Sequence, residues 1–378
     1  MLHSRSALLL LLMAVSLRAH VDPVFLRHDR SLTQAEDLAA EFPAAVRVEG
    51  DGSGTLIGPR WVLTAAHVLD GMSPFASRVY VNGRAYAVQD AYPHPKGVMS
   101  VFDEPPEVDL ALLYLAEAVE GVEPIALHRE ADGVGREVIL VGHGDHALAG
   151  QEVYMPDGVA RAATNVVDRV DADGRLLLKL DRDGTELEGV GAPGDSGGPL
   201  LLRDDEGVRL LGVSSGGFGP MGDYGMQDVY ASVPVHLAWI ETTQRAAEAG
   251  ELEPLRWSRS DAPGDTTVGR VVAAFFTALS DDSGEALREF SAKRRSVDAR
   301  EFLPDDSWAD YMLQLGAAMQ ALRPQHYAER GDRAVFLCQL SGDERWVHFD
   351  ARLDGDGKLF LLGLSDGEAP SEPAPDGD

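Results

Sequence analysis

Short apolar segments separated by Gly, Pro, Asn and Asp fill residues 42–250, and this pattern constrains the fold more than any other feature. Segments such as RVYVNGRAYAV and REVILVGHG have the length and composition of strands. Asn82-Gly83 and Asp173-Gly174 are hairpin signals, because such pairs accept positive φ. Many short strands at close spacing predict an all-β barrel or sandwich. The segment VPVHLAWIETTQRAAEAG closes the region as a helix that stops at Gly250.

The periodicity changes after this region. Residues 251–264 are polar and irregular, and we interpret them as a linker. Residues 265–364 carry helical patterns followed by antiparallel strand patterns, which predicts a separate C-terminal α+β accessory domain. Residues 365–378 are proline-rich and acidic, and they predict a disordered tail.

Composition excludes several function classes. The chain has 378 residues, which favours two or three domains, and a formal net charge of -29. Nucleic acid is excluded as a partner because phosphate binding needs concentrated Lys and Arg. Cys338 is the single cysteine of the sequence, so neither an intrachain disulfide nor a cysteine metal cluster can form.

The N-terminus has the organisation of a secretory signal. A short basic region with Arg5 precedes an apolar run over residues 7–15, and Ala19 is a small residue suited to cleavage. Because the run is too short to span a bilayer comfortably, we predict a signal peptide over 1–19 rather than a membrane anchor. The expected location is secreted or periplasmic, with no membrane association after signal removal. A polar N-terminal segment, 20–41, follows.

Ser196 lies in the stretch GAPGDSGGPLLL and is the candidate nucleophile. Such a serine needs a base for its proton, and the base needs an acceptor on its other ring nitrogen. His67, in WVLTAAHVLD, and Asp109, the charge at the head of the apolar strand VDLALLYL, meet these needs. A carboxylate in that position requires a partner, because desolvating it alone is costly.

The stretch GDSGG also fits the nucleophile elbow of α/β-hydrolases. That elbow is followed by a helix and needs its histidine last in the chain. The sequence after Ser196, GGPLLLRDDEGVRLLGV, has the pattern of strand, turn and strand. We therefore reject this interpretation.

Residues from about 40 to 248 resemble the chymotrypsin/trypsin family of serine proteases, because TAAH, VDLALL and GDSGGP occur in that family's order. The resemblance implies an all-β double six-stranded antiparallel barrel over 42–250, with His67, Asp109 and Ser196 as catalytic residues between the barrels. It predicts a secreted serine endopeptidase that hydrolyses peptide or protein substrates through an acyl-enzyme, with no cofactor or metal. A catalytically silent protease-like binding protein is the alternative.

The resemblance extends to the residues around the nucleophile. It implies that the N–H groups of Gly194 and Ser196 form the oxyanion hole, and that Asp195 pairs with an α-amino group released by cleavage. That amine is expected from roughly residues 20 to 27, although no IVGG sequence occurs there. Signal removal, a later cut and no cut at all stay open as the event that sets the active state. Val68 and Ala192 stand where the family usually has cysteines, so we expect packing alone to hold the barrels.

The specificity pocket leaves two interpretations open. By the resemblance, Val190 is the pocket floor, Ser215 and Gly217 lie on the strand that pairs with substrate, and Asp228 lies on the back wall. Val190 favours an apolar substrate side chain, whereas a carboxylate at Asp228 could pair with Lys or Arg. Asp228 could equally be hydrogen-bonded away from the pocket.

The C-terminal region carries no recognisable catalytic motif. Its helix-plus-sheet pattern weakly resembles the accessory domains of the nuclear-transport-factor-2-like type, which favours a binding or accessory role. Cys338 lies in the middle of a predicted strand, where a cysteine behaves as a small buried hydrophobe.

Overall fold

The structure is a computed structural model that describes residues 24–50, 52–75, 77–97, 108–151, 157–205, 207–281, 284–319, 322–340 and 346–367. These residues form two compact units. One unit comprises the described parts of 24–72 and 77–255, and the other comprises 73–75 and the described parts of 256–367. The predicted signal peptide and the residues of the predicted tail after 367 lie outside the described residues.

The first unit contains a closed antiparallel barrel of six strands. Its strands are β2 (Ala45–Val48), β3 (Gly52–Gly58), β4 (Trp61–Thr64), β5 (Arg78–Val81), β6 (Arg84–Pro93) and β7 (Ala111–Leu115), joined in the order β2-β3-β4-β7-β6-β5. Fully buried Val46, Leu56, Leu63 and Leu112 fill its interior. Side chains of alternate residues enter the core, as the pleat of a strand requires.

A second sheet of the same unit has eight described strands and remains open. They are β8 (Ala126–Leu127), β9 (Glu137–Gly142), β11 (Arg161–Val166), β12 (Arg169–Val170), β13 (Leu176–Lys179), β15 (Pro199–Asp204), β16 (Gly207–Phe218) and β17 (Gln227–Ser232). Their order is β11-β9-β15-β16-β17-β13-β12, and β8 pairs with β16. The trypsin-like fold class is confirmed, with one closed barrel and one half-barrel.

A small third sheet anchors the N-terminal segment to this unit. In it, β1 (Val24–Leu26) lies between β10 (His146–Leu148) and β14 (Gly189–Val190). The predicted N-terminal segment also contains α1 (Leu32–Ala39), whose N-cap Ser31 and Gln34 form a capping box. The helices α2 (Val68–Gly71) and α3 (Val233–Glu248) complete the unit, and α3 ends beside Gly250 as predicted.

The second unit combines helices with an antiparallel sheet, as the predicted α+β class requires. Its helices are α4 (Thr267–Leu279), α5 (Glu285–Arg294), α6 (Val297–Phe302) and α7 (Asp305–Met319). Its strands are β18 (Ser258–Ser260), β19 (Leu322–Arg330), β20 (Arg333–Leu340), β21 (Trp346–Leu353) and β22 (Leu359–Gly367), paired in that order. The predicted linker, 251–264, therefore contains the edge strand β18. Residues 365–367, which the sequence assigns to the tail, belong to β22.

The two faces of this sheet bury different partners. Phe336 and Cys338 of β20 share a core with the helices, whereas Val335 and Leu337 share a cluster with Phe75. Cys338 is 1% exposed, and burial raises the pKa of its thiol to about 12. It is therefore the small buried hydrophobe that its mid-strand position predicts.

Across the described residues, no helix has the length and hydropathy needed to cross a membrane.

Candidate active site

His67 and Asp109 are brought together by the pairing of two neighbouring barrel strands. His67 follows β4, and Asp109 lies just ahead of β7, which pairs with β4 in antiparallel register. The His67 ring nitrogen Nδ1 lies 2.7 Å from Asp109 Oδ2, and the His67 backbone N–H donates to Asp109 Oδ1 at 3.1 Å. Asp109 is 3% exposed, so these bonds supply the partners that a buried carboxylate requires.

Ser215 adds a third hydrogen bond to the same carboxylate. Its Oγ donates to Asp109 Oδ2 at 2.6 Å, from a β-bulge between Ser214 and Gly216 on β16. A bulge re-aims the side chain of its extra residue, which explains why Ser215 points to Asp109. The sequence predicts Ser215 on the substrate strand but does not predict this bond, because a bulge has no clear sequence signal.

Ser196 lies in the turn between β14 and β15, and its side chain is half-buried. Asp195 N–H donates to the Ala192 carbonyl at 2.9 Å, and Gly198 N–H donates to the Asp195 carbonyl at 2.7 Å. Gly194 has φ +89°, a conformation that residues with a Cβ rarely adopt. A Cβ at this position would also lie 2.6 Å from Gly144 Cα. The turn around the candidate nucleophile therefore needs glycine here.

The backbone N–H groups of Gly194 and Ser196 donate to no acceptor among the described residues. Preorganised, unused N–H groups are what a developing oxyanion requires. Ser196 and His67 likewise form no mutual hydrogen bond within the described residues. Catalytic hydrogen bonds of this kind are often long in unliganded enzymes and tighten with substrate.

Asp195 is buried against the loop after β9 rather than facing solvent. Its Oδ1 accepts the Gly144 N–H at 2.9 Å, and its Oδ2 accepts the Ala192 N–H at 3.0 Å. The Asp195 side chain also packs against Gly142. A Cβ on Gly142 would lie 1.8 Å from Asp195 Oδ1, so there is no room for a side chain at that position. Burial raises the pKa of the Asp195 carboxyl to about 8, and the nearby carboxylate of Asp228 adds to this effect.

Asp228 lies beside the turn residue Gly191 and is 3% exposed. Its Oδ2 accepts hydrogen bonds from the Gly191 N–H and from the Tyr230 hydroxyl, the latter at 3.1 Å. Its Oδ1 lies 3.2 Å from the position that a Cβ on Gly217 would occupy. Burial raises the pKa of Asp228 to about 6. Asp228 Oδ2 thus accepts hydrogen bonds from the protein itself, whereas Oδ1 lies beside Gly217 of the predicted substrate strand.

The predicted floor residue Val190 is fully buried. It shares an apolar cluster with Phe25, Leu180 and Met226, and its backbone pairs with Phe25 of β1. This cluster connects the predicted pocket to the N-terminal segment. Within the described residues, no three His, Cys, Asp or Glu side chains converge as a metal site.

The family model described as Trypsin matches residues 32–240. Coagulation factor XII of Sus scrofa is 30% identical over 229 residues, which are 50% of this chain and 35% of that protein. Melanization protease 1 of Drosophila melanogaster is 29% identical over 271 residues, which are 58% of this chain and 66% of that protein. The chain thus spans less than two thirds of the length of either relative.

Among solved structures, neuropsin, a serine protease expressed in the limbic system of mouse brain, is 22% identical with a TM-score of 0.45, over 58% of this chain and 98% of that one. The match to the family model covers more than half of the 378 residues and includes all three candidate catalytic residues. This chain belongs to the trypsin family.

Proposed function

We propose that the protein is a secreted serine endopeptidase that acts through an acyl-enzyme. The observation that carries the proposal is the His67–Asp109 hydrogen bond at 2.7 Å, within the same unit as the Ser196 turn. With Nδ1–H donating to Asp109, the Nε2 lone pair of His67 is available to accept a proton.

The reaction follows from these groups. Ser196 Oγ attacks the carbonyl carbon of the substrate peptide, and its proton passes to His67 Nε2. The N–H groups of Gly194 and Ser196 stabilise the oxyanion. His67 then gives the proton to the leaving amine as the C–N bond breaks. Water hydrolyses the acyl-enzyme by the same proton transfers and restores Ser196.

Activation by an α-amino group is part of this proposal. β1 starts at Val24 beside His146, and Gly144, two residues before His146, donates to Asp195. An amine released in the expected range, roughly residues 20 to 27, would begin at this small sheet. An ammonium beside Asp195 would supply the cation that a buried carboxylate favours.

Two points of the proposal concern regions outside the site. The family membership and the predicted signal peptide support secretion of the protein, with peptides or proteins as substrates. The C-terminal unit is proposed as an accessory module, and its nuclear-transport-factor-2-like character stays a prediction.

A fluorophosphonate probe tests the proposal, because it labels a serine only when the serine is activated by its base. We expect labelling of the wild-type chain at Ser196 and none in Ser196→Ala. Ser31→Ala, which removes the N-cap hydroxyl of α1, is the matched control and should label normally. A folded wild-type chain that has been cleaved in the expected range, roughly residues 20 to 27, and still remains unlabelled would support the alternative, a catalytically silent binding protein.

A further inference from the structure

Ser53 connects the first barrel to the turn that carries the nucleophile. It lies on β3, is 1% exposed, and its Oγ donates to the Gly194 carbonyl at 2.9 Å. The same Oγ accepts the His143 N–H at 3.2 Å. The Ser53 backbone N–H donates to the Ser196 carbonyl at 2.8 Å, and the Ser53 carbonyl accepts the Thr64 hydroxyl at 2.7 Å. One buried residue thus holds both oxyanion residues by their carbonyls.

All four carbonyls of residues 193–196 accept hydrogen bonds. In chain order the donors are the Asp145 N–H at 3.1 Å, the Ser53 hydroxyl at 2.9 Å, the Gly198 N–H at 2.7 Å and the Ser53 N–H at 2.8 Å. Because peptide groups are planar, each bonded carbonyl fixes the N–H of the next residue, so the bonds to the Pro193 and Asp195 carbonyls orient the Gly194 and Ser196 N–H groups. Ser53 supplies two of the four bonds, and one of them depends on its side chain.

The hydroxyl of Ser53 and the Ala192 carbonyl hold opposite sides of one peptide group. That group joins Gly194 to Asp195; its carbonyl accepts from Ser53, and its N–H donates to Ala192. Removing the hydroxyl leaves one of the two restraints. This peptide lies between the two peptide groups that carry the oxyanion N–H groups, so its rotation would change the position of one N–H relative to the other.

We propose that Ser53 is a positioning residue whose hydroxyl restrains the peptide between the two oxyanion N–H groups and so keeps their relative position. It touches no reacting atom and acts through the backbone of Gly194 and Ser196. Because the oxyanion exists only after attack, the effect belongs to the transition state rather than to substrate binding. This inference rests on the proposed peptidase function.

The variant Ser53→Ala tests the role of the hydroxyl, and Thr55→Val is its matched control. Thr55 lies on the same strand, is fully buried, and its hydroxyl has no hydrogen-bond partner among the described residues. On a short fluorogenic peptide that the wild type cleaves, we expect kcat of Ser53→Ala to fall about 10- to 100-fold. This is less than the roughly 10²- to 10³-fold loss from deleting a whole oxyanion donor. KM should change less than about twofold, because ground-state binding is untouched.

A peptide aldehyde, which forms a tetrahedral adduct, should lose affinity for Ser53→Ala by about the same factor as kcat/KM. The affinity of the corresponding product acid should stay unchanged. Thr55→Val should match the wild type in every measurement. A rise in KM with unchanged kcat, or equal losses for aldehyde and acid, would overturn the assignment.

Amide hydrogen exchange gives a second measurement that needs no turnover. We expect segments covering residues 192–198 to exchange several-fold faster in full-length Ser53→Ala, with no change in Thr55→Val. Unchanged exchange would overturn the positioning role, even where kcat falls. Faster exchange in a chain that cleaves no peptide would support the restraint by Ser53 and count against the peptidase function alone.

Discussion

Gly52 of β3 and Val68 of α2 are in direct contact, and a Cβ on Gly52 would lie 2.5 Å from Val68 Cγ1. Val68 is 5% exposed and stands directly after His67, where the family usually has a cysteine. The valine side chain covers the glycine and fills the space between the strand and the helix. Packing therefore holds the His67 loop to the barrel, as the sequence predicts.

The double variant Gly52→Cys with Val68→Cys is expected to form a disulfide. The Cβ position of Gly52 lies 3.4 Å from Val68 Cβ, close to the roughly 3.5–4.5 Å of natural disulfides. Closing a loop of this length should stabilise the fold by about 3 kcal/mol. The measurement is Tm with and without reductant. Gly52→Cys alone is the control and should lower Tm, because the added side chain clashes with Val68. Equal Tm values in both conditions would contradict the prediction.

Asp109→Asn should abolish most of the activity while preserving the fold. The amide cannot hold the His67 ring in the tautomer that leaves Nε2 free, and we expect kcat to fall about 10⁴-fold. The control is Asp132→Asn, which changes another His–Asp pair, the 2.6 Å contact between His128 Nε2 and Asp132 Oδ1. That variant should retain wild-type kcat. Comparable losses in both variants would show that the effect is not specific to the site.

Asp228→Asn should change which substrates are preferred. An asparagine oxygen can keep the bonds from Gly191 and Tyr230 while the charge is lost. Because burial raises the pKa of Asp228 to about 6, the wild type should increase its preference for Arg over Leu substrates as pH rises through 6. Asp228→Asn should show a weaker preference for Arg, independent of pH. The ratio of the two kcat/KM values measures this.

Asp223→Asn is the matched control for Asp228, because it removes one charge from an exposed residue of the preceding loop. It should leave the ratio of Arg to Leu cleavage unchanged. An equal fall for both substrates in Asp228→Asn would mean that Asp228 has a structural role and does not select the substrate.

The free energy of unfolding should fall between pH 6.5 and pH 8 in a chain without a paired amine. Burial raises the pKa of Asp195 to about 8, so the folded state keeps a proton that the unfolded state releases near pH 4. Stability then falls with rising pH by up to about 1.4 kcal/mol per pH unit. Below pH 6.5, His143 acts in the opposite direction, because burial lowers its pKa to about 4.

Urea unfolding at several pH values measures this slope. Asp195→Asn should remove the fall between pH 6.5 and 8, whatever its absolute stability. Stability that stays constant or rises across this interval in the wild-type chain without a paired amine would contradict the prediction.

A chain that ends at Gly250 should keep its peptidase activity on a short substrate, because His67, Asp109 and Ser196 all precede this residue. Phe75, 4% exposed, loses its partners Val335 and Leu337 in that chain. We therefore expect the truncated chain to be less soluble than the full chain, and Phe75→Ser to improve its solubility. Activity per labelled Ser196 is the measurement. A folded, labelled fragment without activity would place the C-terminal unit in the catalytic machinery.

The sequence by itself determined the class of fold, the order of the three candidate catalytic motifs and the change to helices after the β region. These features depend on local patterns, namely strand-length apolar runs, hairpin pairs and short motifs around His67, Asp109 and Ser196. The helix that stops at Gly250 follows from the same kind of signal. Because each of these patterns lies within a short stretch of sequence, they can be recognised without knowledge of any tertiary contact.

The tertiary structure alone decided which residues support that site. Ser53 reaches Gly194 across 141 positions and Ser215 reaches Asp109 across 106, and no local pattern marks either bond. The same holds for β18, an exposed edge strand in the predicted linker, which has no apolar residue to signal it. Such positions are selected by partners that are distant in the chain. Their roles become visible when the folded backbone brings those partners within hydrogen-bonding distance.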